Sequence, residues 1–355
     1  MFKRIDTLKV KGIAISLLLF HHLFYSTARI EANGVVFHIF SQDTVEGLAT
    51  ASRICVWIFA FLSAYGLTCK YIKEDIKRPT IFIAKSWISL MKSYWFIYII
   101  VFILSFIFFN NPLEIYQHKA SYLVLDALGL ADFFGSPMLS NVWWYMCFAQ
   151  ILLIILPLII AVCSKFGWAS YLLMIIIIQY LGSGISSNFG GEYINYLLVI
   201  VLGVLCAQNS FFDKVKSKPK HLIGKIIEIC ILVGVIFICL ILRLKLEEVD
   251  VWKVRSILSS LAVLCICWMS YKYLTNKIVE KVLSFLGKHS GNIFMTHALI
   301  YTFYPNVVYY TKNVILSWLT LLSISLCLSI VLEKLKELTK YNCLIKNIEN
   351  MIFPE

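Results

Sequence analysis

The sequence predicts an all-α fold, a polytopic transmembrane helix bundle of about ten spans with both termini in the cytoplasm. Three observations carry that expectation. Charge is too scarce for a water-facing surface, long apolar runs follow one another along the chain, and Lys and Arg divide unevenly between the joining segments. Of the 355 residues, 60% are hydrophobic and 15% charged. A soluble domain keeps about a quarter of its residues charged, because its surface must face water. Most of this exterior must therefore face lipid. No long polar stretch interrupts the pattern, so a single membrane-embedded domain over 1–355 is expected, with no soluble domain appended.

A span needs roughly 20 apolar residues to cross a hydrocarbon core about 30 Å thick. The runs that meet or approach this length are 12–28, 53–71, 87–109, 141–163, 167–182, 193–209, 223–243, 254–273, 290–310 and 314–332. The first resembles a signal peptide, with Lys3, Arg4, Lys9 and Lys11 before it and Ser26-Thr27-Ala28 after it. Its removal would leave the remaining loops with the wrong parity, so it is expected to stay. The outside loop 110–140 holds an amphipathic stretch near Ser121–Leu130, suited to the outer interface. Pro157 falls inside the fourth run and Pro305 late in the ninth.

With the N-terminus inside, 24 of the 32 Lys and Arg residues fall on the cytoplasmic side, including Lys77, Lys218 and Lys220. That is a clear positive-inside bias. It also accounts for the net charge of +12 without any nucleic-acid partner. The eleven Cys lie mostly in apolar runs and form no C-x-x-C pair, which points to neither disulfides nor a metal site.

Ionisable groups within the spans are expensive and therefore informative. Glu228, three residues after Lys225, reads as half of a snorkelling ion pair with it. His21 and His22 lie in the first run and His297 in the ninth. Lys11 and His22 are three helical turns apart, on one face, with a rise of roughly 16 Å between them. This spacing sets Lys11 at the inner headgroup level and His22 near mid-membrane. A cation there would hold a phosphate-bearing donor, and the deeper histidine would accept a proton from a hydroxyl. The competing reading makes Lys11 an anchor and His22 a polar contact between helices.

At these residues the sequence resembles the acyltransferase-three family of integral membrane acyltransferases. That family places a basic residue eleven positions before a histidine, as Lys11-Gly12-Ile13-Ala14 and His22 do here. Further resemblances follow in order along nearly the whole chain. They are the segment from Ile58 through Ser63 to Gly66, then Leu90 to Trp95 around Lys92. Asn141 to Tyr145 leads on to Gln150 and Pro157, and the last is Leu286-Gly287-Lys288 through Asn292 to His297. Departures are Lys11 for the commoner Arg, Ala64 for Gly, and Phe148-Ala149 where many relatives carry a Glu pair. An Arg-x-x-Arg element is represented at best by Lys85 and Lys92.

The resemblance implies a multi-pass protein of a bacterial plasma membrane. It would use a cytoplasmic acyl-CoA donor, usually acetyl-CoA, with no permanently bound cofactor and no metal. The acceptor would be a hydroxyl on a surface glycan or a lipid-linked sugar precursor. Lys11, Lys85 and Lys92 would bind the donor, and His22 and His297 would be catalytic. Ser63, Trp143, Trp144, Tyr145 and His21 are candidates for the acceptor site or cavity wall. Ser63 equally suits helix packing, while Trp143 and Trp144, which would stack on sugar, are more often the residues of an interfacial aromatic belt. The alternative function is a transporter or flippase of a lipid-linked glycan, and a third is a non-catalytic scaffold.

Overall fold

A computed structural model of the chain describes residues 2–76, 78–185, 193–217, 219, 221–247 and 252–353. Lys77, Lys218 and Lys220, counted above with the cytoplasmic cations, lie outside the described residues. In chain order the helices are α1 Arg4–Phe24, α2 Thr27–Ala32, α3 Gln42–Ser52, α4 Cys55–Lys73, α5 Pro79–Phe108, α6 Pro112–Ile115, α7 Ala120–Ala127 and α8 Trp144–Phe166. They continue with α9 Ala169–Ile185, α10 Leu197–Gln208, α11 Phe211–Lys214, α12 Leu222–Glu247 and α13 Trp252–Tyr273. The last are α14 Lys277–Phe303, α15 Pro305–Val308, α16 Val314–Leu338 and α17 Tyr341–Ile352. Among the described residues there is no strand, and the chain is an all-α, multi-pass bundle.

Seven of the expected runs fall on segments long and apolar enough to cross a membrane: Arg4–Phe24, Gln42–Lys73, Pro79–Phe108, Asn141–Phe166, Leu222–Leu246, Val254–Tyr273 and Val314–Leu338. The fifth and sixth runs fall on shorter apolar helices, Ala169–Ile178 and Tyr193–Gln208. The ninth differs most from expectation. Its helix, α14, begins at Lys277, well before residue 290, and stops at Phe303 because Pro305 opens a new turn. Lys288, His289, Asn292 and His297 stud it, so its hydropathy is the lowest of the set that the sequence proposed.

Side chains fix several helix starts. The Lys3 N–H donates to Asp6 at 2.9 Å, which closes a capping box on α1. Asn276 and Asn313 accept from the first amides of α14 and α16, as cap residues do.

The chain divides into two compact units. One comprises Met1–Asp75 and Leu156–Ser290. In it α1 packs on α3 and α4, α4 on α10, α10 on α13, and α12 along α13 and α3. Leu18, Leu19, Ile58, Phe61, Ile200, Val204 and Val263 are buried there. By contrast α12 exposes Ile223, Ile227, Ile231 and Phe237, the outward face of a helix meant for lipid. At the start of α1, Phe2 packs against Phe212, Tyr65 and Tyr271, with centroids 4.5, 5.6 and 5.7 Å away. Glu228 does not pair with Lys225 as expected; it meets Lys272 of α13 at 2.5 Å. Lys272 lies one helix away in space, so the neighbour in sequence loses to the neighbour in the fold.

Glycine decides how closely α1 approaches the first half of α14. A Cβ at Gly12 would overlap the Leu283 carbonyl, and a Cβ at Gly287 would overlap the Leu8 carbonyl. The contact is reciprocal, each glycine receiving the other helix's backbone, which is how small residues let helices cross at close range.

The other unit comprises Ile76–Ile155 and Gly291–Glu355. The loop helix expected near Ser121–Leu130 forms as α7, yet its Asp126 is 1% exposed and does not face the interface. The carboxylate accepts from Tyr116 at 2.7 Å, the Leu139 amide at 2.9 Å and Tyr94 at 3.2 Å, tying both ends of the loop to α5. Burial pushes its carboxyl up to about 6 against those donors. Gln150 accepts from Trp87 at 2.7 Å and donates to the Leu128 and Gly129 carbonyls, both at 3.0 Å. An apolar groove of about 310 Å³ runs between α5, α14 and α16, with Val101, Leu299 and Leu328 among its walls.

Candidate active site

Helix α1 carries the candidate chemistry of the first unit. Its N-terminal turns hold two lysines with different surroundings. Lys9 is 2% exposed and meets Asp6 at 3.0 Å, Glu280 at 3.4 Å and the Leu274 carbonyl at 3.3 Å. Counted in the sequence with the cytoplasmic cations, it is the centre of a buried ion cluster. Lys11 is half-buried, and among the described residues no hydrogen bond or ion pair reaches its ammonium.

The histidines stand in the last turn of α1, not halfway along it. From Arg4 to His22 the rise is about 27 Å, most of a bilayer core. The His21 Nδ1 lies 2.8 Å from the Ala49 carbonyl of α3, and its ring stacks on Tyr25 at 4.8 Å. A carbonyl only accepts, so Nδ1 carries the proton and Nε2 keeps a lone pair. The His22 ring sits 5.1 Å from that of His21, and its backbone carbonyl accepts from the Arg29 guanidinium. Ser63 is half-buried on α4, the helix that packs beside α1.

In the second unit Lys85 and Lys92 are two turns apart on one side of α5. Lys85 is exposed with its ammonium 5.7 Å from the Phe353 ring, and the Lys92 carbonyl accepts from Tyr341 at 2.9 Å. Trp143 is 2% exposed, donates its indole N–H to the Met295 carbonyl at 2.9 Å, and meets Tyr94 edge-on at 5.4 Å. Its ring is packed against Tyr94 and Tyr98 inside the second unit. Trp144 and Tyr145 remain half-open, with Tyr145 5.3 Å from Phe294. His297 is fully buried between Phe294 and Tyr301, and its Nδ1 lies 2.8 Å from the Phe294 carbonyl and 3.1 Å from that of Ile293. Again the proton belongs on Nδ1 and the lone pair on Nε2.

Two polar clusters went unread in the sequence. Asn292 donates to Glu333 at 2.8 Å and to Ser329 at 3.1 Å, while the buried Lys336 donates to Glu333 at 2.7 Å and to Asn292 at 3.2 Å. Around His21, the cations within electrostatic reach are Arg53, Arg243 and Arg29. Arg243, closing the apolar stretch of α12 two residues before Lys245, was the available signal for the second cluster. Among the described residues no group of His, Cys, Asp and Glu is arranged to hold a metal.

The fold and these polar groups define a membrane-embedded helical protein with histidines and cations set into its spans. A family model described as an acyltransferase domain matches residues 5–334. The chain belongs to this acyltransferase-three family, and the match includes every candidate residue named above. No curated protein and no solved structure matches the chain.

Proposed function

We propose that this membrane acyltransferase is an O-acyltransferase, with acetyl-CoA as its first candidate donor. Its acceptor is a hydroxyl of a cell-surface polysaccharide or of the lipid-linked precursor, and its site is the bacterial plasma membrane. The observation that carries the reading is Lys11 and His22 on one face of α1, in a chain of this family. Lys11, half-buried and without a bonded partner among the described residues, supports a phosphate-binding role.

In the proposed reaction a histidine Nε2 takes the acceptor hydroxyl proton as the oxygen attacks the thioester carbonyl carbon. The carbon–sulfur bond then breaks, and the CoA sulfur leaves with the proton the histidine holds. His22 is the base by the family spacing. His21, pinned by the Ala49 carbonyl, positions the pair. Ser63, on the helix packed beside α1, is a donor for the acceptor.

The test compares wild type with His22→Ala and His21→Ala at equal expression, counting acyl groups on the surface polysaccharide. Loss of a general base costs about 10²–10⁴-fold in rate. Unchanged acylation in His22→Ala would remove it from the mechanism. Titration with acetyl-CoA separates this reading from a glycan transporter, which has no need to bind it.

A further inference from the structure

The last helix, α17, lies beyond residues 5–334, the part of the chain that the family model matches. Its residues divide cleanly around the axis. At about 100° per residue, Tyr341, Leu344, Ile345, Ile348, Met351 and Ile352 fall within an arc of about 120°. Asn342, Lys346, Asn347, Glu349 and Asn350, with Cys343, take the rest of the circle. One margin of the apolar arc is used within the chain. Ile345 is buried, and Tyr341 donates to the Lys92 carbonyl at 2.9 Å and packs on Phe96 at 4.9 Å. The other margin is open, with Leu344 54% and Met351 74% exposed.

What covers that margin follows from where the helix starts. Helix α16 has 25 residues and is about 37 Å long, against a hydrocarbon core of about 30 Å. Its outward face is open at Leu319, Val331 and Leu335, as lipid contact requires. Lys340 then takes a left-handed turn, with φ of 51°, which separates the two helices. The exposed Lys334 and Lys340 mark this level, as basic residues do at a membrane surface. So α17 begins where the hydrocarbon ends, packed on a helix whose outward face already meets acyl chains. We propose that α17 docks on the bilayer surface at the Leu338 end of α16, with Leu344, Ile348 and Met351 sunk into the boundary between headgroups and acyl chains. Lys346 and Glu349 balance each other on the polar half, so apolar burial carries the contact and attraction to anionic lipid does not. Tyr341 at one end of α17, and Phe353 just past the other at 5.7 Å from the Lys85 ammonium, fasten the docked helix to α5.

The experiment uses the purified full chain in phosphatidylcholine vesicles, with Cys69, Cys230, Cys327 and Cys343 changed to Ala so that only buried thiols remain. A nitroxide is attached to one added cysteine at a time: Leu344→Cys and Met351→Cys on the apolar arc, Asn342→Cys and Asn350→Cys on the polar one. All four side chains are exposed, so the changes leave the packing intact, and two sites per face keep the comparison whole if one variant loses the wild-type Tm. Power saturation then reads collisions with oxygen, which concentrates in hydrocarbon, and with a nickel chelate, which stays in water. The oxygen-to-nickel ratio is expected to be severalfold higher at the two apolar sites than at the two polar ones. High nickel accessibility on both faces would put the whole helix in water and overturn the proposal. Low accessibility to both reagents at the apolar sites would mean that protein covers them, and spin–spin broadening there would identify a second copy; either result overturns the lipid assignment. A contrast between faces that appears only after phosphatidylglycerol is added would overturn the role given to apolar burial.

Discussion

The two ends of α1 treat positive charge in different ways. At the N-terminal end Lys9 is enclosed by Asp6, Glu280 and a carbonyl, so charge is cancelled inside the fold. At the other end Arg29 donates to the His22 carbonyl and Arg243 to the Ala51 carbonyl, so cations there meet backbone oxygens and not carboxylates in those contacts. Lys11, two residues beyond Lys9, lies between these conditions, half-buried and without a bonded partner among the described residues. Cancelled charge holds helices in place; an ammonium without a bonded partner, as at Lys11, is available to a ligand. Composition and spacing do not separate the two, but partners do.

That contrast can be broken most sharply at Lys9. Lys9→Met should destabilise the protein by about 3 kcal/mol, because the Asp6 carboxylate is left buried without its cation. Thermal unfolding in detergent checks it, and a Tm equal to wild type would deny the structural role. Gly287→Ala should cost about 1–3 kcal/mol, since a methyl group meets the Leu8 backbone, which cannot step aside as a side chain would. Lys11→Gln should leave Tm unchanged and raise the KM for acetyl-CoA about tenfold, roughly 1.4 kcal/mol. Should Lys11→Gln unfold the protein while Lys9→Met does not, the two lysines have been assigned in reverse.

The smallest effect concerns Asp126. Its folded pKa, about 6, lies above the ordinary carboxylate value of 3.8, so the folded state holds the proton more tightly than the unfolded chain. Stability is therefore greatest below pH 4, falls as pH rises through about 6, and levels off above it. Asp126→Asn should flatten that slope, as followed by Tm against pH. A wild-type Tm that climbs between pH 4 and 6 relative to the variant contradicts the sign.

Helix class and most spans were legible because a twenty-residue apolar run has few other fates. The start of α14 was not, because Lys277, Glu280, Lys281 and Lys288 dilute its hydropathy while Asn276 caps it far upstream of the apolar half. The Lys11–His22 register was legible because both belong to one helix, and helical geometry alone sets it. Partners across the fold were not. Glu228 found Lys272 and not Lys225, Asp126 turned inward, and Trp143 gave its N–H to a carbonyl 152 residues away. Each depends on tertiary packing, which periodicity does not encode.

The grip of α14 on α1 also has a consequence for biogenesis. Lys9 waits for a carbonyl 265 residues further along the chain, and Gly12 and Leu8 wait for neighbours made later still. At about 5–20 residues per second, α1 sits in the bilayer for tens of seconds with that face open. Helix α1 is thus made long before it is locked, and a chain stalled before α14 displays its unfinished state as an uncovered lysine beside a bare glycine.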